Sequence, residues 1–282
     1  QVGEIELNDY IDSLYLVGSK VIVVGQQLAY YYGGGPREPQ MDMMMWPPYY
    51  AASTVTVTEI DVSDPTAPTI VHENELDGAL VTSRLTNQRL IVVLTITPPL
   101  PDNPTFLNML GVTVDDVLPK MRTMSGGESP MVTPEDWFHP ASPNGYFTTA
   151  VVTLDADNIE SVVGSVAVMA NAGTIYASTE ALYLTDTDYT VDNNYRETTA
   201  IHKLAFNADG VAEYVASGSV PGRLLSQFSL GEYNGYLRVA THVSNYSFGG
   251  GDVFVTGVGT TDVASSPATG SAGSDGRAQD QD

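Results

Sequence analysis

The residues of this chain best suited to chemistry form an acid-rich stretch between positions 186 and 197. Oxygen-bearing side chains recur there at the first, third, seventh, ninth and twelfth positions, namely Asp186, Asp188, Asp192, Asn194 and Glu197. Oxygen ligands at such short spacings fold around a hard cation in calcium-binding loops. The pattern therefore predicts a calcium site at these five residues, and calcium is the one cofactor that the sequence suggests.

The same stretch also departs from a calcium loop. Its sixth position, where such loops turn sharply on a glycine, is Val191. Its flanks are typical of strands rather than helices. The alternative interpretation is a polar connection between two strands, in which Asp and Asn favour turn geometry. Asp155, Asp157 and Asn158 form a weaker group of the same kind, whose alternative role is also a turn.

No catalytic constellation is recognisable in the sequence. The four histidines are far apart, and neither an HExxH spacing nor a Gly-x-Ser-x-Gly elbow occurs. Glu232 and Arg238 are placed to pair across a predicted hairpin, as an edge ion pair would. Among 34 acidic residues, no pair of catalytic carboxylates can be singled out. We therefore assign no catalytic residues and favour a non-enzymatic role.

A second group of residues suits recognition rather than reaction. The segment 28–53 is rich in tyrosine, methionine and tryptophan, and the long insertion 98–146 adds another tryptophan. Aromatic residues and methionine are enriched at protein interfaces. The predicted binding residues are Tyr30, Tyr31, Tyr32, Met43, Met44, Trp46, Tyr49, Tyr50 and Trp137. The alternative for the first segment is a cover over the face of a sheet, because so apolar a loop is rarely left fully solvated.

Composition limits the partners of the chain. Eleven basic residues face 34 acidic ones, for a formal net charge of −23. Such a charge repels the phosphate backbones of nucleic acids, so we expect no nucleic-acid partner. No apolar run is long enough to span a membrane, and cysteine is absent.

These residues must be held by a repeated unit of four β-strands. An apolar strand, a polar turn and a second apolar strand recur four times, and two more strand-like runs follow each of the first three copies. A repeated four-strand unit is typical of a β-propeller blade. The predicted fold is therefore an all-β propeller of antiparallel blades over residues 1–256. The predicted blades are 14–77, 80–168, 173–220 and 225–256, interrupted by the insertions 28–53 and 98–146.

The fourth predicted blade is incomplete. From residue 257 to residue 282, Gly, Ser, Ala, Thr and Asp dominate, which predicts a disordered, low-complexity tail. Propellers close with typically four to eight blades. Three complete blades and a partial fourth therefore predict a fragment of a larger ring, and the alternative is self-association through unpaired blade edges.

Several short motifs resemble the landmarks of one group of proteins. Asp61-Val-Ser-Asp-Pro65 resembles a strand-turn seen in secreted propellers, and Leu76-Asp-Gly78 with Thr82-Ser-Arg84 is similar to a blade junction. Together with later landmarks up to residue 243, they resemble the secreted bacterial and archaeal β-propeller domain family, which is distantly related to WD40 repeats. The resemblance implies a secreted or cell-envelope location, and no catalytic residues carry over from it.

The leading hypothesis is a secreted, non-enzymatic module that binds or scaffolds extracellular protein or polysaccharide. One alternative is an extracellular hydrolase or lyase assisted by calcium. Another is a structural protein that assembles through its open blade edges.

Overall fold

The computed structural model of the chain describes residues 2–27, 53–97, 111, 113–140, 147–190, 196–245 and 253–260. Its strands form four sheets that follow one another along the sequence. Apart from the short strands of the long insertion, the strands of each sheet pair antiparallel in chain order, as in propeller blades. This architecture confirms the predicted all-β fold of a partial propeller. Within the described residues, no helix is long and apolar enough to cross a membrane.

The first sheet forms because β-branched residues alternate through its strands. Val55 and Val57 are buried on one face of its third strand, whereas Thr56 and Thr58 are buried on the other. On that second face, the hydroxyl of Thr56 donates to Asp9 at 2.7 Å and so holds the N-terminal segment against the sheet. The four strands that form the blade itself are β1 (Tyr10–Val17), β2 (Lys20–Gln27), β3 (Thr54–Asp61) and β4 (Thr69–Asp77).

The second sheet contains the long insertion between its second and third strands. The described part of the insertion includes a short helix, α1 (Val114–Val117), and three short strands. The second sheet begins with β5 (Ala79–Thr86) and β6 (Arg89–Ile96). The insertion then contributes β7 (Lys120–Thr123), β8 (Glu128–Pro130) and β9 (Trp137–Phe138). The sheet is completed by β10 (Thr148–Asp155) and β11 (Asn158–Val168).

The strands of the insertion extend the outer edges of two sheets. β7 pairs antiparallel with β4, and β8 pairs with β7. β9 pairs in parallel with β11 at the outer edge of the second sheet. The guanidinium of Arg122 contacts the carboxylate of Asp77 at 2.7 Å and ties β7 to β4. The described part of the insertion therefore covers backbone groups that an edge strand would otherwise leave unpaired.

The third and fourth sheets follow without a comparable insertion. The third contains β12 (Thr174–Ala177), β13 (Ala181–Thr190), β14 (Arg196–Phe206) and β15 (Ala212–Pro221). A short 3-10 turn, Gln227–Ser229, leads to β16 (Leu230–Tyr233), β17 (Tyr236–Asn245) and β18 (Val253–Thr260) of the fourth sheet. β18 thus continues beyond residue 256, which is the predicted end of the fourth blade.

Each sheet packs face to face against the next one. Leu90, Val92 and Leu94 of β6 belong to a core shared with the first sheet. Ile91 and Val93, which alternate with them, belong to a core shared with the third sheet. Because β6 is buried on both faces, it is a continuous apolar run rather than an alternating one. A third core joins the third sheet to the fourth.

Gly222 marks a tight passage from the third sheet to the fourth. Its φ is +86°, and a Cβ there would lie 2.5 Å from the carbonyl oxygen of His242. Gly78 before β5 also has a positive φ, of +127°. Gly173 before β12 differs, because a Cβ there would have nothing within 4 Å. Of these three glycines, which precede opening strands, two therefore serve a conformation that other residues rarely adopt.

We expect Gly222→Ala to lower the free energy of unfolding by about 1–3 kcal/mol, because the substitution adds both a clash and an unfavourable φ. Gly173→Ala is the matched control and should change it by less than about 0.5 kcal/mol. Urea unfolding followed by circular dichroism measures both. Equal effects of the two substitutions would contradict the assigned role of Gly222.

His202 is a buried, uncharged group inside the third sheet. Its side chain is 2% exposed, and Nδ1 hydrogen-bonds with the hydroxyl of Ser217. Ser217 in turn hydrogen-bonds with Tyr214 at 2.7 Å, and the ring of Tyr214 stacks on Phe138 of β9 at 4.5 Å. Burial lowers the pKa of His202 from 6.5 to about 4.

This lowered pKa predicts a loss of stability in mild acid. Below pH 6.5 the unfolded chain takes up a proton at this histidine, whereas the folded chain does so only near pH 4. The contribution of His202 to the free energy of unfolding is therefore fully present above about pH 6.5. It falls by up to about 3 kcal/mol as the pH drops to about 4. His202→Asn keeps a polar group but cannot titrate, so its unfolding free energy should fall less than that of the parent between about pH 7 and pH 5. Identical pH dependence of the two proteins would refute the argument.

Candidate functional site

Two adjoining cavities lie between the second, third and fourth sheets. The first has a volume of about 360 Å³ and is lined by inner strands of the second and third sheets and by the 3-10 turn before the fourth. Its walls combine polar groups with apolar and aromatic residues, and the latter include Ile91, Val93, Ile175, Tyr176, Phe228 and Leu230. The polar side chains of Thr82 and Arg84 approach it from β5, because these residues pair with Val93 and Ile91 on the face toward the third sheet.

The second cavity has a volume of about 580 Å³ and is lined largely by polar turn residues. It shares Arg84, Ala177 and Phe206 with the first cavity. Acidic side chains reach it from Glu180 and Asp209. We call the two cavities together the inter-blade cleft. Concave sites of this size, with apolar walls and a few polar groups, are typical of ligand-binding sites.

Phe228 and Arg84 are exposed large side chains of the cleft wall. Phe228 lies on the 3-10 turn and is 88% exposed. Arg84 lies on β5, is exposed, and reaches both cavities. On the same inner strand, Ser83 is held by a 2.8 Å hydrogen bond with Tyr15 of β1. The cleft thus presents an aromatic ring and a cation on a fixed framework.

A buried polar network next to the cleft joins the third sheet to the fourth. The carboxylate of Glu232 is 11% exposed; it accepts from the hydroxyl of Ser178 and pairs with Lys203 at 3.4 Å. The backbone N–H of Glu232 donates to the hydroxyl of Tyr176 at 3.1 Å. The Lys203 ammonium also lies 5.5 Å from the centre of the Tyr183 ring. The network therefore fixes Tyr176, a wall residue of the first cavity.

Electrostatics keep the carboxylate of Glu232 ionised at neutral pH. Burial alone would raise the pKa of Glu232, but interactions with Ser178 and Tyr183 and the charge of Lys203 outweigh burial and lower it. Burial, and then the neighbouring Glu232, raise the pKa of the Tyr183 hydroxyl. Glu232 is therefore a structural anion, and its partner is Lys203 instead of the predicted Arg238. The guanidinium of Arg238 stacks over Tyr233 at 4.5 Å.

Three of the residues predicted to bind calcium lie on two paired strands, β13 and β14. Asp186 and Asp188 belong to β13, opposite Ala200 and Thr198, whereas Glu197 of β14 lies opposite Tyr189. Directly paired residues point to the same face of an antiparallel sheet, so Glu197 faces away from the two aspartates.

The contacts of these acids differ accordingly. A carboxylate oxygen of Asp186 accepts from the backbone N–H of Asn171 at 3.0 Å, and Glu197 lies 3.9 Å from Arg223. Asp192 and Asn194 lie outside the described residues. Among the residues that the structure describes, no group of three acidic or histidine side chains is placed to hold a metal ion. Calcium binding by this stretch stays a prediction.

The predicted recognition residues divide into two groups. Tyr30, Tyr31, Tyr32, Met43, Met44, Trp46, Tyr49 and Tyr50 all lie outside the described residues. Trp137 lies on β9, is half-buried, and packs against the core between the first two sheets. Its described contacts are those of a packing residue, and its role in binding stays a prediction.

The comparisons with known proteins agree with this architecture. Residues 1–272 match the Beta propeller domain family. The chain belongs to that family. It is also similar to an uncharacterized protein of Archaeoglobus fulgidus, with 56% identity over 48 residues. That match covers 17% of this chain and only 7% of the archaeal protein. No solved structure matches the chain.

We expect Glu232→Gln to destabilise the chain by about 1–3 kcal/mol at neutral pH, because it leaves Lys203 half-buried without its counter-charge. The control is Glu128→Gln, which removes an exposed partner of Arg122 and should cost less than about 0.5 kcal/mol. Urea unfolding at neutral pH measures both effects.

The pH dependence provides a second measurement. The folded pKa of Glu232 is lowered, so its contribution is complete above the unfolded pKa near 4.5 and is lost as the pH falls through the folded value. The difference in unfolding free energy between the parent and Glu232→Gln should therefore become smaller as the pH falls. A difference that stays constant with pH would contradict the assigned ion pair.

Proposed function

We propose that this propeller is a non-enzymatic binding module that holds an extended polypeptide segment of an extracellular partner in the inter-blade cleft. The observation that carries the proposal is the first cavity, in which apolar walls meet the exposed ring of Phe228 and the guanidinium of Arg84. Aromatic residues and arginine dominate the binding energy of protein interfaces. Membership of a β-propeller family supports a binding role in general.

The chemistry of the walls favours polypeptide over polysaccharide. Ile91, Val93, Ile175, Leu182 and Leu230 line the first cavity. Apolar side chains of a peptide gain free energy by leaving water for such walls, at about 25 cal/mol per Å² of buried apolar surface. Sugar hydroxyls placed against the same walls would lose hydrogen bonds to water without replacing them.

The framework of the cleft suits recognition more than catalysis. Glu232, the carboxylate beside the cleft whose pKa is shifted, is stabilised in its charged form and engaged by Ser178 and Lys203. A general acid at neutral pH requires the opposite shift. Rigid elements that present a few accessible side chains bind with little loss of conformational entropy. A secreted or cell-envelope location is part of the proposal, and it rests on the resemblance of the motifs to secreted propellers.

The test is selection of a phage-displayed library of random dodecapeptides on the immobilised chain, followed by affinity measurement of the enriched peptides. Phe228→Ser should weaken their binding about tenfold or more, because it removes the exposed ring of the cleft. Leu225→Ser is the matched control, since Leu225 is 73% exposed in the same connection but does not line the cleft. Failure to enrich any peptide, or binding that Phe228→Ser leaves intact, would refute the proposal.

A further inference from the structure

Arg84 supplies the one charged side chain in the described lining of the first cavity. The remaining lining residues are apolar, aromatic or neutral polar. Glu180 and Asp209 line the second cavity and do not belong to the described lining of the first. The first cavity is therefore locally positive in a chain whose formal net charge is −23.

Most other cations of the described chain already have a carboxylate partner. Ion pairs with nitrogen–oxygen distances of 2.7–3.9 Å hold Lys20, Arg89, Arg122, Lys203 and Arg223. Arg238 is stacked on a tyrosine ring. With acidic residues outnumbering basic ones 34 to 11, a cation of this chain readily finds a counter-charge. Arg84 has none within the described residues, although it lies at the junction of two cavities.

We infer that Arg84 is the anchor for a carboxylate of the bound segment, so the ligand is a peptide that carries an acidic side chain next to an aliphatic or aromatic one. This inference rests on the proposed function. The planar guanidinium matches a carboxylate in a bidentate pair, which a lysine at this position could not reproduce. The neighbouring apolar side chain of the peptide enters the first cavity, between Ile175 and Leu230.

The negative charge of the whole chain does not oppose this contact strongly. Repulsion between separated charges is screened beyond about 8 Å at physiological salt, whereas a direct ion pair in a partly desolvated cavity is screened much less. Thr82 lines the same cavity and pairs with Val93, so its hydroxyl faces the same side of the sheet as Arg84. It provides a further hydrogen-bonding group for a carboxylate.

The experiment compares Arg84→Gln, Arg84→Lys and Lys120→Gln as targets for the enriched dodecapeptides. Lys120 lies on β7 at the outer edge of the first sheet, and no ion pair holds it within the described part of the chain. Its substitution therefore changes the net charge of the chain as Arg84→Gln does, but away from the cleft. Neither of the two sites is buried, so melting temperatures of the three variants within about 2 °C of the parent verify the fold.

We expect the enriched peptides to contain Asp or Glu beside an apolar residue. Their affinity should fall about tenfold or more with Arg84→Gln, less with Arg84→Lys, and not with Lys120→Gln. Replacing the peptide's acidic residue by its amide should weaken binding to the parent but not to Arg84→Gln.

Other outcomes separate the two proposals. Peptides that need Phe228 but bind Arg84→Gln as well as the parent would overturn the carboxylate anchor and leave the cleft as the binding site. An equal loss of peptide affinity with Arg84→Gln and Lys120→Gln would show that net charge alone governs binding. It would also overturn the carboxylate anchor. Binding of polygalacturonate through Arg84, with no peptide enriched, would overturn the polypeptide assignment.

Discussion

Face-to-face burial between successive sheets is the constraint on which this molecule depends. Each sheet is too thin to form a core alone, so β6 buries Leu90, Val92 and Leu94 toward the first sheet and Ile91 and Val93 toward the third. The inter-blade cleft is built from side chains of three sheets. Its shape is therefore set by how those sheets pack, and residues far from the cleft control the positions of Arg84 and Phe228.

Polar groups between the sheets make this packing specific. Glu59 is fully buried and pairs with Lys20 at 2.8 Å across neighbouring strands, and Glu232 pairs with Lys203 across neighbouring sheets. Such pairs add little net stability, because desolvation offsets much of the attraction between the charges. A slipped strand or a rotated sheet would leave one charge buried without a partner, which is costly. The pairs therefore disfavour alternative registers that the interchangeable Val and Ile side chains would allow.

The order of strands was predictable from the sequence because most strands carry a strong local signal. The alternation in Thr54–Asp61 and the buried run in Arg89–Ile96 place β3 and β6 to within a residue or two of their ends. β9 has only two residues, and its pairing with β11 is long-range, so no local pattern could indicate it. Arg84 was visible in a strand motif. Its significance depends on which sheets meet there and on the lack of a counter-charge among the described residues. The residues next to Arg84 in the sequence indicate neither of these.

The positive charge of the first cavity, in a chain that is otherwise strongly acidic, bears on which ligands the cleft selects. A polyanion that approaches the molecule meets a chain with a formal net charge of −23, whereas the described lining of the first cavity carries the positive charge of Arg84. Only a ligand whose carboxylate reaches this guanidinium, and whose apolar neighbour fills the adjoining space, gains enough short-range free energy to offset the repulsion. Attraction at one point combined with repulsion elsewhere rejects wrong partners more effectively than attraction alone. The acidity of the chain can thus also restrict what its cleft accepts.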